Sequence, residues 1–418
     1  MPCLSCRPAR AAVWIWLSAV WCCARVCPAA EFELHDGDEV VFVGNTFIER
    51  DQAYGYLETM LTARWPDRSI TFRNLGWSGD TVWGEARAGF DRPEDGFRRL
   101  LQSVSEQRPT VIVLGYGLNE SFAGEPGVPR FRQGLTALLE QFEKTDAAIV
   151  LLSPLPHAQS GLPYPDPESR NRDLRTYTDL IREIAEQRGH RFTDLFRRME
   201  SVMHAPGARR LSDNGIHLSE YGYWLLWFQA GREFGIKLGG PVKPIGKSDS
   251  VSLESSLPAK VENFSATPRG YRFDLTYPWL PNLQAPGVKV TAAGPAGRYL
   301  LVRGLPPGSY HVEIDGTIVE ASDFQLQASV LVPLPLGHAP EAGQVEELRR
   351  AIIQKNRLYF HRWRPQNETY LFGFRKHEQG QNAAEVPKFD PLVEELEAHI
   401  AKLRVPAKHT YEIVKQGE

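Results

Sequence analysis

Apolar and polar positions along the chain fall into two textures with a break between them. From Glu31 to about Gly240, short apolar runs alternate with stretches whose apolar residues recur at helical spacing. The runs Glu39–Val43, Ser69–Leu75, Thr110–Leu114, Ala147–Leu152 and His190–Leu195 are predicted strands. The patterns at Asp51–Arg64, Pro93–Glu106, Arg130–Glu143 and Glu168–Gln187, with another after His217, are predicted helices. Strands that alternate with helices and read as near-continuous apolar runs pair in parallel and are covered on both faces. The expected fold class is therefore α/β, built on a five-stranded parallel sheet. In open sheets of this kind ligands bind at the carboxyl ends of the strands.

Near Gly239 the texture changes. Pro241–Pro258 is rich in Pro, Ser, Gly and Lys and reads as a linker. Lys260–Pro335 is β-like, with a hairpin signal where Asp315-Gly316 separates the alternating runs ending at Ile314 and starting at Thr317. Pro340–Phe360 and Asp390–Leu403 are helical by pattern. Val345, Leu348, Ile352 and Leu358 lie near helical spacing, so the first of these helices can dock on the α/β domain. The expected organisation is residues 31–240 as one domain, 241–338 as linker and small β-rich domain, and 339–418 as a helical C-terminal segment. No internal repeat or low-complexity tract is visible.

Residues 1–30 stand apart. Arg7 and Arg10 precede an apolar run from Ala11 to Ala24, and small residues follow at Pro28, Ala29 and Ala30. That layout is expected of a cleaved export signal, with an uncleaved membrane anchor as the lesser alternative. The run is short of the roughly 20 residues a membrane span needs, so no stable membrane insertion is expected after cleavage. All five cysteines (Cys3, Cys6, Cys22, Cys23, Cys27) fall here, so a mature chain has neither disulfides nor thiol chemistry. Export without disulfides suits a bacterial envelope, periplasmic or secreted. The formal charge is −3, with 48 basic and 51 acidic side chains. With no long Lys/Arg block, a nucleic-acid partner held by phosphate contacts is not expected.

Chemistry collects after the strands. The first delivers Gly44-Asn45-Thr46, a hydroxyl at a sharp turn on top of the sheet; the second delivers Gly76-Trp77-Ser78-Gly79-Asp80-Thr81. The third delivers Gly115-Tyr116-Gly117-Leu118-Asn119-Glu120, and a later helix start carries Ser212-Asp213-Asn214-Gly215-Ile216-His217. Each alone is an ordinary loop, where Gly and Asn are common, and Asp213 or Asn214 can simply cap a helix. Four in this order on one sheet edge are much less expected by chance.

Over about Asp38 to Gly235 the chain resembles the SGNH hydrolases of the GDSL esterase superfamily, whose blocks run G-D-S, S-G-D-T, G-x-N-D and D-x-x-H. The resemblance implies a flavodoxin-like three-layer sandwich and ester hydrolysis without a cofactor. It implies Thr46 as nucleophile, an oxyanion hole from the backbone N–H groups of Thr46 and Gly79 with the Asn119 side chain, and His217 as general base. Asn214 falls where the family has its aspartate. Asn45 and Glu120, beside the motif residues, are candidate substrate-binding positions.

Two positions depart from the family pattern. Threonine is a competent nucleophile, but its methyl restricts rotamers and crowds a tetrahedral carbon. Asparagine carries no charge to stabilise an imidazolium, so Asp213 or Glu120 is a candidate to supply the carboxylate. His157, His190, His204, His361 and His377 lack ligand spacing, and no metal site is expected. The aromatic and Arg-rich run Phe360–Tyr370 is either a solvated connector or a segment folded over the pocket rim, offering stacking and hydrogen bonds to a sugar.

The expected activity is hydrolysis of an acyl ester, acetyl or similarly small, on a small molecule or polysaccharide. No lipid-binding apolar stretch is visible in the mature chain, which disfavours a lipase. A carbohydrate-binding protein that kept the fold and lost its turnover is the alternative.

Overall fold

The computed structural model describes residues 32–159, 166–203, 209–236, 242–287, 299–319, 329–333 and 340–416. The expected export signal and all the cysteines lie outside them.

Five strands form the central sheet: β1 (Glu39–Gly44), β2 (Thr71–Asn74), β3 (Val111–Gly115), β4 (Ala148–Leu152) and β5 (Arg191–Thr193). Their order is β2-β1-β3-β4-β5 and every pairing is parallel. Chain direction across the sheet reverses between β1 and β3, the switch point where such folds open a crevice. Successive residues of a strand serve opposite faces. Val40, Phe42, Val111, Val113 and Val150 join one buried core, while Val41, Val43, Ile112, Leu114 and Ile149 join the other. This double burial is why these strands read as unbroken apolar runs.

Helices cover both faces. These are α1 (Thr46–Asp51), α2 (Tyr56–Arg64), α3 (Pro93–Glu106), α4 (Val128–Phe142), α5 (Pro167–Arg188), α6 (Leu195–Met203) and α7 (Glu220–Ala230). The single helix expected over Asp51–Arg64 is in fact two, because Gly55 adopts a left-handed φ of +64° between them. The α6 helix begins where the apolar run His190–Leu195 was expected to continue as a strand, β5 ending at Thr193.

The second half corrects the expected boundaries. The stretch read as a linker is structured: β6 (Lys243–Ser248) and β7 (Val251–Ser255) pair antiparallel. They belong to a four-stranded sheet, β13-β10-β7-β6, with β10 (Tyr299–Arg303) and β13 (Ser329–Pro333). A second sheet contains β8 (Lys260–Thr267), β9 (Gly270–Thr276), β11 (Tyr310–Ile314), β12 (Thr317–Val319) and β14 (His409–Lys415), in the order β12-β11-β14-β9-β8. Residues of both sheets, among them Val251, Leu253, Phe273, Leu300, Tyr411 and Ile413, share one core, so the pair is a sandwich. The Asp315-Gly316 hairpin is present, with positive φ at both residues (50° and 77°), as a primed turn requires.

The C-terminal segment is not wholly helical, since β14 inserts between β11 and β9. Before it, α8 (Pro340–Trp363) and α9 (Phe389–Leu403) pack together, and α8 lies against α2 and β2. A buried ion pair holds it there. Lys355 Nζ donates to Glu58 Oε1 at 2.6 Å and to the Phe72 carbonyl at 3.1 Å, while Asn356 Nδ2 donates to Glu58 Oε2 at 2.8 Å. No helix among the described residues is long and apolar enough to cross a membrane.

Candidate active site

At the end of β1 the chain turns into α1 through Asn45, whose side-chain oxygen accepts from the Phe47 N–H at 3.1 Å and caps the helix. Asn45 is buried, caps α1 and lines the cavity at the site. Thr46 is the first helical residue. The loop after β2 is pinned to the same helix: Asn74 Nδ2 donates to the Ile48 carbonyl at 2.7 Å and Trp77 N donates to the Gly44 carbonyl at 2.9 Å. At Gly76 only glycine fits, because a Cβ there would lie 2.3 Å from the Glu49 nitrogen. Three residues on, Gly79 donates its N–H to Thr46 Oγ1 at 3.1 Å.

The loop after β3 brings Asn119, whose side-chain N–H donates to the Asp80 carbonyl at 2.6 Å. An amide nitrogen carries two hydrogens, so the second is left to serve an anion. Asp80 itself is locked behind the loop by Arg87 Nε at 2.7 Å and Tyr116 OH at 2.9 Å. Glu120 turns away. Its Oε1 accepts from Val82 N at 2.8 Å and its Oε2 from Gly117 N at 2.9 Å, so it ties together the loops after β2 and β3. Burial pushes its carboxyl up to about 7 although these amides favour the ionised form.

His217 sits in a turn just ahead of α7, closed by Asp213 N donating to the His217 carbonyl at 2.9 Å. Gly215 of that turn accepts from Ala158 N at 2.8 Å, which fastens it to the loop after β4. Asn214 Oδ1 accepts from the backbone N–H groups of Ile216 (3.1 Å) and His217 (2.9 Å). The amide oxygen is therefore committed, and Nδ2 faces His217 Nδ1 at 3.2 Å. An N–H aimed at Nδ1 makes that nitrogen an acceptor and leaves the ring proton on Nε2.

The carboxylate partners expected for His217 are thereby corrected. Asp213 pairs with Arg50 Nη2 of α1 at 3.0 Å, and Glu120 serves backbone amides; it is Asn214 that meets Nδ1. Burial, with the Arg50 charge second, lowers the His217 pKa below the ordinary histidine range, and Asp213 opposes this weakly. Between the ends of β1 and β3 lies a mostly apolar cavity of about 20 Å³, lined by Asn45 and Phe47 on either side of Thr46 and by His217. That volume holds about one or two water-sized groups.

Sequence reasoning gave no individual role to Glu49, Arg50 or Arg364, which all contribute to this edge. Glu49 and Arg50 follow Thr46 on α1, three and four positions on, a spacing that points them to the helix flank near the nucleophile position. Arg364, beyond α8, lies over the Trp77 ring at 3.6 Å and donates to Glu49 Oε2 at 2.6 Å. Of the two readings of the run Phe360–Tyr370, this part is packed at the site. Among the described residues no group of three His, Cys, Asp or Glu side chains is placed to hold a metal ion.

A scan against protein families matches residues 37–225 to the GDSL-like Lipase/Acylhydrolase family. The domain belongs to that family. Its members are ester hydrolases, and the motif residues of this GDSL-like domain stand at the carboxyl edge of its sheet. Among solved structures, one described as BT4096, a gut microbial diltiazem-metabolizing enzyme, aligns over 92% of this chain and 99% of its own. The identity is 15% and the TM-score 0.64, a likeness of fold that extends past the GDSL-like domain into the second half. Axe2, an acetylxylan esterase from Geobacillus stearothermophilus, aligns over 49% of this chain and 98% of its own, with 18% identity and a TM-score of 0.41. No curated protein matches the chain.

Proposed function

We propose that this chain is an exported esterase that removes a small acyl group, acetyl in the first instance, from a carbohydrate. The observation that carries the reading is the Gly79 N–H placed 3.1 Å from the Thr46 hydroxyl, so that nucleophile and oxyanion donor already face one another. Thr46 Oγ1 attacks the ester carbonyl. The oxyanion is held by the N–H groups of Thr46 and Gly79 and by the second Asn119 N–H, preorganised dipoles of the kind that give acyl transfer its largest stabilisation. His217 takes the Thr46 proton and returns it to the leaving alcohol, and water then releases the acid by the same route. The cavity lined by Asn45, Phe47 and His217 is small, which supports an acyl methyl over a long chain. Trp77 and Trp363 pack edge to face at 5.8 Å beside Arg364, an aromatic and cationic rim suited to a sugar. Export is supported by the layout of residues 1–30.

The orientation of Asn214 makes this a slow enzyme. With the proton on Nε2, His217 must change tautomer before it can accept from Thr46, and that requires the Asn214 amide to rotate away from two backbone N–H bonds. The same observation favours the second reading, a carbohydrate-binding protein with vestigial turnover. Hydrolysis of p-nitrophenyl acetate and acetylated sugars by the wild type, beside His217→Ala, Thr46→Ala and Thr46→Ser, separates the two. The esterase reading expects Thr46→Ser to keep or raise the rate and both alanine variants to lose it. Equal background rates in all four proteins leave the binding reading.

A further inference from the structure

The Ser78–Gly79 peptide, which carries an oxyanion donor, has little packing to hold it. Both residues are exposed, Gly79 has a left-handed φ of +78°, and nothing lies within 4 Å of the position its Cβ would take. The peptide is the central one of a turn closed by Asp80 N donating to the Trp77 carbonyl at 3.0 Å, and the residue on its amino side, Ser78, is tied down by Glu49. Glu49 Oε2 accepts from Ser78 N at 2.6 Å and Glu49 Oε1 accepts from Ser78 Oγ at 2.9 Å. The same Glu49 carboxylate receives Arg364 Nη1 at 2.6 Å, and the guanidinium is stacked on Trp77, the residue before Ser78. The two charged side chains are 23% and 20% exposed, which is dry enough for the pair to hold a fixed geometry.

Arg364 is itself held. It follows α8, its N–H donates to the Phe360 carbonyl at 2.9 Å, and one turn earlier the Tyr359 hydroxyl donates to Gln107 Oε1 at 2.8 Å. Further back lies the buried Lys355–Glu58 pair. A rigid element from the end of the chain thus reaches the loop that presents Gly79.

We propose that Arg364 is a positioning residue for the oxyanion hole. It fixes the Glu49 carboxylate, and Glu49 orients the Ser78–Gly79 peptide so that the Gly79 N–H points at the reacting oxygen. This rests on the esterase reading above. Without Arg364, Glu49 turns to solvent and the peptide samples orientations in which the donor is lost. Deleting a whole oxyanion donor costs about 10²–10³ in turnover, so a donor that is present but loosened costs less, about ten-fold.

The test uses the full-length protein with Arg364→Ala, Arg364→Lys, Glu49→Gln and the Arg364→Ala/Glu49→Gln double variant, their folding checked by thermal melts. On p-nitrophenyl acetate, Arg364→Ala and Glu49→Gln should each lower kcat about ten-fold with KM within two-fold, as expected when only the transition state is affected. Arg364→Lys should recover part of the loss, and the double variant should be no worse than the poorer single one. Amide exchange read by mass spectrometry should quicken several-fold in peptides covering residues 75–81 of Arg364→Ala and Glu49→Gln, with α3 unchanged. Losses that multiply in the double variant, a rise in KM at constant kcat, or unchanged exchange at 75–81 would overturn the proposal. If the wild type shows no turnover that depends on His217, it is the esterase reading that fails, and the exchange result alone decides whether Arg364 holds the loop.

Discussion

Replacing Asn214 by aspartate reverses the one hydrogen bond that sets the tautomer of His217. One carboxylate oxygen keeps the bonds from Ile216 N and His217 N, and the other takes the place of Nδ2, 3.2 Å from Nδ1. Nδ1 must then donate, and Nε2 becomes the base. At that separation, with an effective dielectric constant of about 20, a carboxylate stabilises an imidazolium by roughly 5 kcal/mol. The opposite change, Asp to Asn in a serine protease triad, costs about 10⁴ in turnover, which at about 1.4 kcal/mol per decade is the same size. His217 is only half-buried and solvent screens part of the interaction, so a gain of about 10²–10³ in kcat/KM is expected for Asn214→Asp. The base must be neutral to work, so activity is lost as pH falls through the His217 pKa. In the wild type burial and Arg50 hold that pKa low, and the new carboxylate should move the acidic limb to higher pH. The assay is kcat/KM for p-nitrophenyl acetate from about pH 5 to 9, with imidazole ¹⁵N shifts reporting the tautomer. An Asn214→Asp protein with unchanged rate and the proton still on Nε2 would refute the argument.

Other outcomes follow from the buried charges and the expected signal. Asp51 is fully buried against Trp227 Nε1 at 2.6 Å, and desolvation pushes its carboxyl up to about 7. Its folded pKa exceeds the unfolded one, so the stability it confers is present below about pH 4 and lost as pH rises through 7, on the order of 4 kcal/mol at most. Asp51→Asn should flatten the slope of Tm between about pH 4 and 7. Lys355→Ala leaves Glu58 buried without its cation and should cost about 3–5 kcal/mol in a denaturant melt, whereas Lys355→Met with Glu58→Leu should cost far less than the two single changes together. Intact-mass measurement of protein exported by the producing cell should show the loss of about 30 residues; a mass retaining the five cysteines would support an anchor instead.

How far the sequence foretold this molecule depended on whether each signal was local. The central strands were legible because burial on both faces makes them uniformly apolar. β6 and β7 read as a linker because their few apolar residues facing the core, Ile245, Val251 and Leu253, stand among Pro, Gly, Lys and Ser. β14 alternates cleanly at Tyr411 and Ile413, but its partners β9 and β11 lie about a hundred residues or more earlier, and no local pattern reports that pairing. At the site, the order of the loop motifs pointed to Thr46, Gly79, Asn119 and His217. Which way the Asn214 amide points was not legible, because backbone N–H groups of the folded turn decide it. Nor was the Glu49–Arg364 contact, whose partners are 315 residues apart.

The insertion of β14 between β9 and β11 has a consequence for synthesis. The five-stranded sheet lacks its middle strand until residues 409–415 have left the ribosome, so β8–β9 and β11–β12 wait as two separate hairpins while α8 and α9 are made. During that interval β9 and β11 each present an unpaired edge, the kind of surface on which chains pair wrongly with one another. A truncation just after α9 would make the exposure permanent. It would also free the trailing end of the helical pair, since α9 is joined directly to β14.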